Sequence, residues 1–408
     1  MGAQPDPRGI RVDCAVDGWV AMRVATSILN FSRRRGGAES YLVDLCLRMA
    51  GEGCEVHVYA ENWDEEVPDI HLHRIRTLPF PKSLRLLSFV IRSTRELEKG
   101  KYDVTLGVGH TLRADVLQPH GGVHWAWFWR SLRAYDSPWL RTLKFLGRIL
   151  NAKQWVNGWI EDAPYRQTPL PRIIAISEMV KRDILQWYGI SPDRVEVIYN
   201  GVDLERFNPQ NRQYRAEVRR RLDIHEETLL LFVSHNFRMR GLRHLMQALA
   251  SMKKEGAPSF KLLVMGRDRQ GSYRRLASKV GISGEVIFAG STDEPEKYYG
   301  AADLFVHPSF YDACSLALLE ALASGLPVVT TSSTGASGIL THREDGWIIE
   351  NARDREALKA GIRYFLDEPT RLRASRQGRI KAEHYSRRAN FEKVMEVLKR
   401  LPERVRRP

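Results

Sequence analysis

The amino-acid sequence predicts an α/β protein built from two doubly wound, parallel-sheet domains that face each other across a cleft. Three observations carry this. Short apolar runs alternate with helical stretches from Met22 to about Ile198, a polar segment interrupts the pattern at residues 201–216, and the same alternation restarts at Thr228. A chain of 408 residues is also long for a single hydrophobic core.

Residues 1–21 mix Pro, Gly and Asp without a period and are expected to be a disordered leader, or the product of a start codon assigned too early. The N-terminal domain is placed at 22–200. Its strand candidates are MRVATSIL from Met22, CEVHVYA (54–60), YDVTLGV (102–108), RIIAIS (172–177) and VEVIYN (195–200). Helices fit 38–51, 83–99 and 178–188. The polar stretch GVDLERFNPQNRQYRA, with Pro209, reads as the linker at 201–216. The C-terminal domain, 217–385, carries TLLLFVS (228–234), FKLLVMG (260–266), EVIFAG (285–290), DLFVHP (303–308) and LPVVTT (326–331). Residues 386–408 end the chain with a helix at about 387–401, expected to fold back onto the first domain. In such sheets ligands collect at the carboxyl ends of the strands.

Lys and Arg number 63 against 49 Asp and Glu, a net charge of +14, which favours an anionic partner. Cys14, Cys46, Cys54 and Cys314 have no metal-ligand spacing and read as reduced packing residues. No Asp-x-Asp pair occurs, so neither a metal site nor a cofactor is expected. The chain contains no run of 18 apolar residues and no hydrophobic signal core at its start, which predicts a cytoplasmic protein.

Chemistry concentrates in YDACSLALLEALASGLPVVTT (311–331), where Asp312 precedes Glu320 by eight positions in an otherwise apolar stretch. A carboxylate on a packing face is costly unless something polar meets it. A helix starting near Ser315 turns the backbone N–H groups of Ala313, Cys314, Ser315 and Leu316 toward an anion. The competing reading makes Asp312 or Ser315 a plain N-cap and Glu320 a solvated helix residue. SHNFRMRG supplies cations at Arg238 and Arg240 beside His235, or is merely a solvated basic turn. Gly36 and Gly37 lie between strand and helix, where backbone can approach a ligand or simply turn tightly. His120, in QPHGGVH, is a candidate site histidine or a structural one.

Four blocks in this order, RRGGAESYLVDLCLRMAGEGCEVHVYAENW, IIAISEMVKRDILQWYGISPDRVEVIYNGVDLERF, SHNFRMRGLRHLMQALA and 311–331, resemble the retaining glycosyltransferases of the GT-B fold in family GT4. Within that family the sequence is similar to the lipopolysaccharide core glucosyltransferase type, from residue 22 onward. The resemblance implies two Rossmann-like domains, an acceptor-binding one followed by one for the nucleotide sugar. It implies metal-independent transfer of a hexose, glucose by type, from a UDP-sugar to a lipopolysaccharide core or other lipid-linked glycan; GDP-mannose is the alternative donor. Asp312 takes the place of the family's first glutamate, which touches the donor sugar, with one methylene fewer. Glu320 takes that of the second, with ribose hydroxyls as its partners. Arg240 replaces the lysine that binds the diphosphate, the preceding arginine falls near His235 or Arg238, Gly37 approaches the donor, and His120 sits beside donor sugar and acceptor. A nucleotide-sugar epimerase shares the architecture. A basic nucleic-acid-binding protein is disfavoured, because no binding module is present and the charge is spread.

Residues 124–160 hold six of the ten tryptophans and six Lys/Arg against one acid, Asp136. A helix at 138–150, with Pro138 at its first position, puts Trp139, Leu143, Leu146 and Leu150 on one face and Arg141, Lys144 and Arg148 on the other. That pattern predicts docking on an anionic lipid surface, at the inner face of the cytoplasmic membrane. The competing reading packs the apolar face on the first domain.

Overall fold

The computed structural model describes residues 22–33, 36–64, 67 and 69–401. The expected leader, 1–21, lies outside them. The first domain contains β1 (Arg23–Phe31), α1 (Gly37–Gly51), β2 (Glu55–Trp63), β3 (Ile70–Arg74), α2 (Lys82–Lys99), β4 (Val104–Gly107), β5 (Val116–Leu117), α3 (His124–Leu132), α4 (Pro138–Ile149), α5 (Ala152–Tyr165), β6 (Arg172–Ala175), α6 (Glu178–Tyr188) and β7 (Val195–Val197). Its seven strands run parallel in the order β3-β2-β1-β4-β5-β6-β7.

The second domain contains α7 (Arg215–Arg221), β8 (Thr228–Val233), α8 (Leu242–Lys254), β9 (Phe260–Met265), α9 (Gly271–Val280), β10 (Val286–Gly290), α10 (Pro295–Ala301), β11 (Leu304–His307), α11 (Leu316–Ala323), β12 (Val328–Thr331), β13 (Gly346–Ile349), α12 (Arg355–Tyr364) and α13 (Glu368–Glu383). Six parallel strands lie in the order β10-β9-β8-β11-β12-β13. The central strands are apolar on both faces, as helices on each side require: Leu229, Leu230, Leu231 and Phe232 of β8 are all fully buried. Each sheet reverses its winding beside its first strand, at β1/β4 and at β8/β11, which opens a crevice at the carboxyl ends.

Two chain segments join the domains. Val202 N–H donates to Tyr385 O and Arg387 N–H donates to Val202 O, at 2.8 and 3.0 Å. Gly201 is required there, because a Cβ would stand 2.6 Å from Arg387 Cα. The final helix, α14 (Arg387–Lys399), packs on the first domain. Its Phe391, Val394, Met395, Val397 and Leu398 are buried with Val24, Leu42 and Val56. Asn390 donates to Tyr199 O and accepts from Tyr41 Oη.

Candidate active site

The 311–331 stretch folds as a loop leaving β11, then α11, then β12. Ser315 is the N-cap of α11 and accepts from Leu318 N–H at 3.3 Å. The capping reading therefore holds for Ser315. It fails for Asp312, whose buried Oδ2 lies 3.0 Å from Arg240 Nη2 and 3.2 Å from His307 Nε2. Its backbone is held as well, with Asp312 N–H donating to Ser333 O and Gly335 N–H donating to Asp312 O. Burial alone would raise the Asp312 pKa; the Arg240 guanidinium and the His307 hydrogen bond outweigh it, and the carboxyl ionises below its ordinary range. His307 is held neutral by burial and donates Nε2–H to that carboxylate.

Arg240 is not a solvated basic turn. It also donates to Tyr311 O and to Ser309 Oγ, so the guanidinium spans the loop that carries Asp312. His235 and Arg238 stand elsewhere in the cleft, both exposed, beside Tyr135, Asp136, Asp268 and Tyr273. Arg238 lies over the Tyr135 ring at 4.3 Å.

Glu320 is not a solvated helix residue either. Its Oε2 accepts from Tyr299 Oη at 2.8 Å, and burial raises its pKa, partly offset by that bond. The polar partner of this carboxylate is thus a tyrosine from α10. Its other side looks into an interdomain cavity lined by Tyr41, Asp44, Val202, Leu316, Arg387 and Asn390. Burial pushes the Cys314 thiol up to about 12, leaving it inert as the sequence reading supposed.

The first domain supplies the opposite wall. Ser177, N-cap of α6, donates to Ala313 O across the domains at 2.7 Å. A Cβ on Gly37, the first residue of α1, would lie 3.4 Å from Leu316 Cδ1, so the starts of α1 and α11 adjoin. The His120 ring lies tilted against that of Tyr41 with centroids 4.2 Å apart, and its buried Nε2 meets no hydrogen-bond partner among the described residues. Burial lowers its pKa to about 3, so the imidazole is neutral. Sequence reading missed Tyr299 and Ser177, and also Asp136, which bridges the domains by pairing with Arg243 and His244 at 3.3 and 3.2 Å.

The surface helix α4 reverses part of its expectation. The apolar face does not pack on the domain: Trp139, Leu143, Leu146 and Leu150 are 75%, 54%, 50% and 84% exposed. The basic face turns inward instead. Arg141 donates to Tyr135 O, and Arg148 donates to Phe128 O and Ser131 Oγ with its guanidinium over Trp127. Only Lys144 of the three predicted membrane cations is exposed. A guanidinium beside aromatic rings and unsatisfied carbonyls gains more there than in water, so both arginines are drawn to α3 and its following turn. No helix among the described residues is long and apolar enough to cross a membrane.

Two Rossmann-like domains whose crevices meet at a helix N-terminus, a buried carboxylate paired with a half-buried arginine, and a second, half-buried carboxylate have the architecture of a glycosyltransferase of the GT-B fold. Residues 35–206 match the family described as Glycosyltransferase Family 4, and residues 215–383 match Glycosyl transferases group 1. The chain belongs to the GT4 glycosyltransferases. Lipopolysaccharide glucosyltransferase WaaG of Escherichia coli K12 is 24% identical over 341 residues, spanning 83% of this chain and 88% of its own. A D-inositol 3-phosphate glycosyltransferase of Thermomonospora curvata is 25% identical over 383 residues, spanning 85% and 86%. The crystal structure of WaaG superposes with a TM-score of 0.76 at 22% identity, covering 93% of this chain and all of that one. Anabaena HepE in complex with UDP and glucose gives 0.69 at 17% identity, with coverage of 93% and 100%.

Proposed function

We propose that this glycosyltransferase moves a hexose, glucose by preference, from a UDP-sugar to a lipopolysaccharide core or similar membrane-anchored glycan, with retention and without a metal ion in the reaction. The observation that carries the reading is the Asp312–Arg240 pair at the loop that leaves β11, immediately before the N-cap of α11 and across from Ser177 of the first domain. The first N–H groups of α11, of which Ser315 satisfies one, face the donor diphosphate as a helix N-terminus faces any anion. Glu320, anchored by Tyr299, accepts from the ribose hydroxyls. Arg240 offsets the charge that grows on the leaving diphosphate, and Asp312 fixes Arg240 while presenting its edge to the sugar. The unpartnered His120 Nε2 meets a sugar hydroxyl. The acceptor hydroxyl attacks the anomeric carbon from the face the diphosphate leaves, and its proton passes to a phosphate oxygen.

The membrane reading belongs to the same proposal. The outward Trp/Leu face of α4 has no partner among the described residues, and a lipid-anchored acceptor lies at the bilayer surface. WaaG, named as a lipopolysaccharide glucosyltransferase, and the HepE complexes with UDP and glucose support the choice of donor and acceptor. The test is a donor screen that reads released nucleotide, with and without purified core lipopolysaccharide. Acceptor-dependent release from UDP-glucose is expected; release from GDP-mannose alone, or isomerised sugar without acceptor, would overturn it.

A further inference from the structure

We propose that Glu55, His57 and His71 form a binding site for a divalent transition-metal ion, zinc being the ion that fits, on the outer edge of the first sheet. The site lies near the strand starts, at the end of the sheet away from the cleft. Glu55 and His57 are two apart on β2 and so share a face. The parallel register sets His57 directly beside His71 of β3. The neighbouring Val56, Val58 and Ile70 are buried in the core on the other face, which fixes the face on which Glu55, His57 and His71 stand. One ligand atom from each of the three residues lies within 4.8 Å of the others. The rings of His57 and His71 stack with centroids 4.7 Å apart.

The surroundings are built as a metal ligand set requires. Arg23 Nε holds Glu55 Oε2 at 3.0 Å, leaving Oε1 directed at His57 Nε2, 2.8 Å away. On the far side, His57 Nδ1 lies 2.9 Å from His73 Nε2. A ligating imidazole typically donates its second N–H to an outer partner, and His73 stands in that position. Because an ionised Glu55 can only accept, His57 now donates from Nε2. With the ion bound, the Nε2 lone pair goes to the metal, the proton of His57 sits on Nδ1 and is donated to His73, and His73 carries its own proton on Nδ1. Protons are conserved within the pair. Two imidazole nitrogens and one carboxylate oxygen suit zinc, whereas magnesium and calcium prefer oxygen alone. His71 is exposed, which leaves an open coordination position for water. Bound there, the ion ties the edge strand β3 to β2.

The test uses the full chain without an affinity tag, stripped with EDTA, dialysed and titrated with ZnCl2 by calorimetry, with Co2+ absorption as a second readout. One zinc per chain, a raised Tm, and an affinity weakened at least about tenfold in His71→Ala and in Glu55→Gln are expected. His71 is exposed, so its replacement leaves folding intact, and turnover with donor is the control for that. Absence of zinc binding by the wild-type chain, unchanged affinity in His71→Ala, or equal binding of MgCl2 would overturn the site.

Discussion

Replacing Glu320 with Gln separates the carboxylate's charge from its shape. Tyr299 Oη still donates to the amide oxygen, so the 2.8 Å anchor survives, and a charge that burial disfavours is removed. The sign for stability follows. A carboxyl whose folded pKa is raised costs the native state stability above its ordinary range, so the variant's Tm at neutral pH should equal or exceed that of the wild type. Binding moves the other way. A hydrogen bond from a ribose hydroxyl to an ionised carboxylate contributes about 1.5–3 kcal/mol, so kcat/KM should fall by roughly 10- to 150-fold and UDP affinity should weaken with it. Initial rates over a donor series, calorimetry with UDP and thermal melts measure the three quantities. Turnover within about threefold of wild type in a fully folded Glu320→Gln variant would refute the ribose assignment.

Arg240→Ala should weaken UDP binding and also destabilise the fold by up to about 3–5 kcal/mol, because the buried Asp312 charge is left with only the neutral His307 as its partner. Adding Asp312→Asn should restore most of the stability, read by urea melts, but not the affinity. His120, with a folded pKa near 3, makes the native state lose stability as pH falls from about 6.5, where the unfolded chain takes up the proton. His120→Gln should therefore flatten the stability profile between pH 4 and 6 by up to about 1.4 kcal/mol per unit; parallel profiles would show that this imidazole is solvated. Vesicles of anionic lipid should sediment the wild-type chain, and Leu143→Ser with Leu146→Ser should reduce this at least about tenfold without changing Tm, since both leucines are exposed. A wild-type chain that ignores such vesicles at low salt would rule docking out. Chelation by EDTA should leave transfer unchanged even where it lowers Tm, and a loss restored by a divalent ion would place a metal in the reaction.

Elements with apolar residues on both faces were legible in the sequence, because burial itself writes that pattern. Thus β8, β9, β11 and β12 fall where the runs TLLLFVS, FKLLVMG, DLFVHP and LPVVTT predict. The missed strands are marked otherwise or too short to stand out. β3 reads IHLHR because its outward face bears histidines at a sheet edge, β5 has two residues, and β13, although apolar as GWII, is four residues long and opens on a glycine. The spacing of Asp312 and Glu320 marked a site, but the partners Tyr299, His307 and Ser177 are distant in sequence and follow no period. Periodicity separated the two faces of α4 correctly yet could not orient them, since carbonyls of Phe128 and Tyr135 decide which way the arginines turn.

The return of α14 to the first sheet makes that domain discontinuous, with the whole second domain inserted between its two parts. During synthesis the ribosome releases the inserted domain complete while its host still lacks Phe391, Val394 and Met395, the side chains that close its core. The host domain can finish only after the codons for α14 are read, so its exposed apolar surface must be protected until the whole second domain has been made. A truncation that removes α14 should therefore leave the C-terminal domain folded and the N-terminal domain prone to aggregate, although nothing in the latter's own contiguous stretch has been cut.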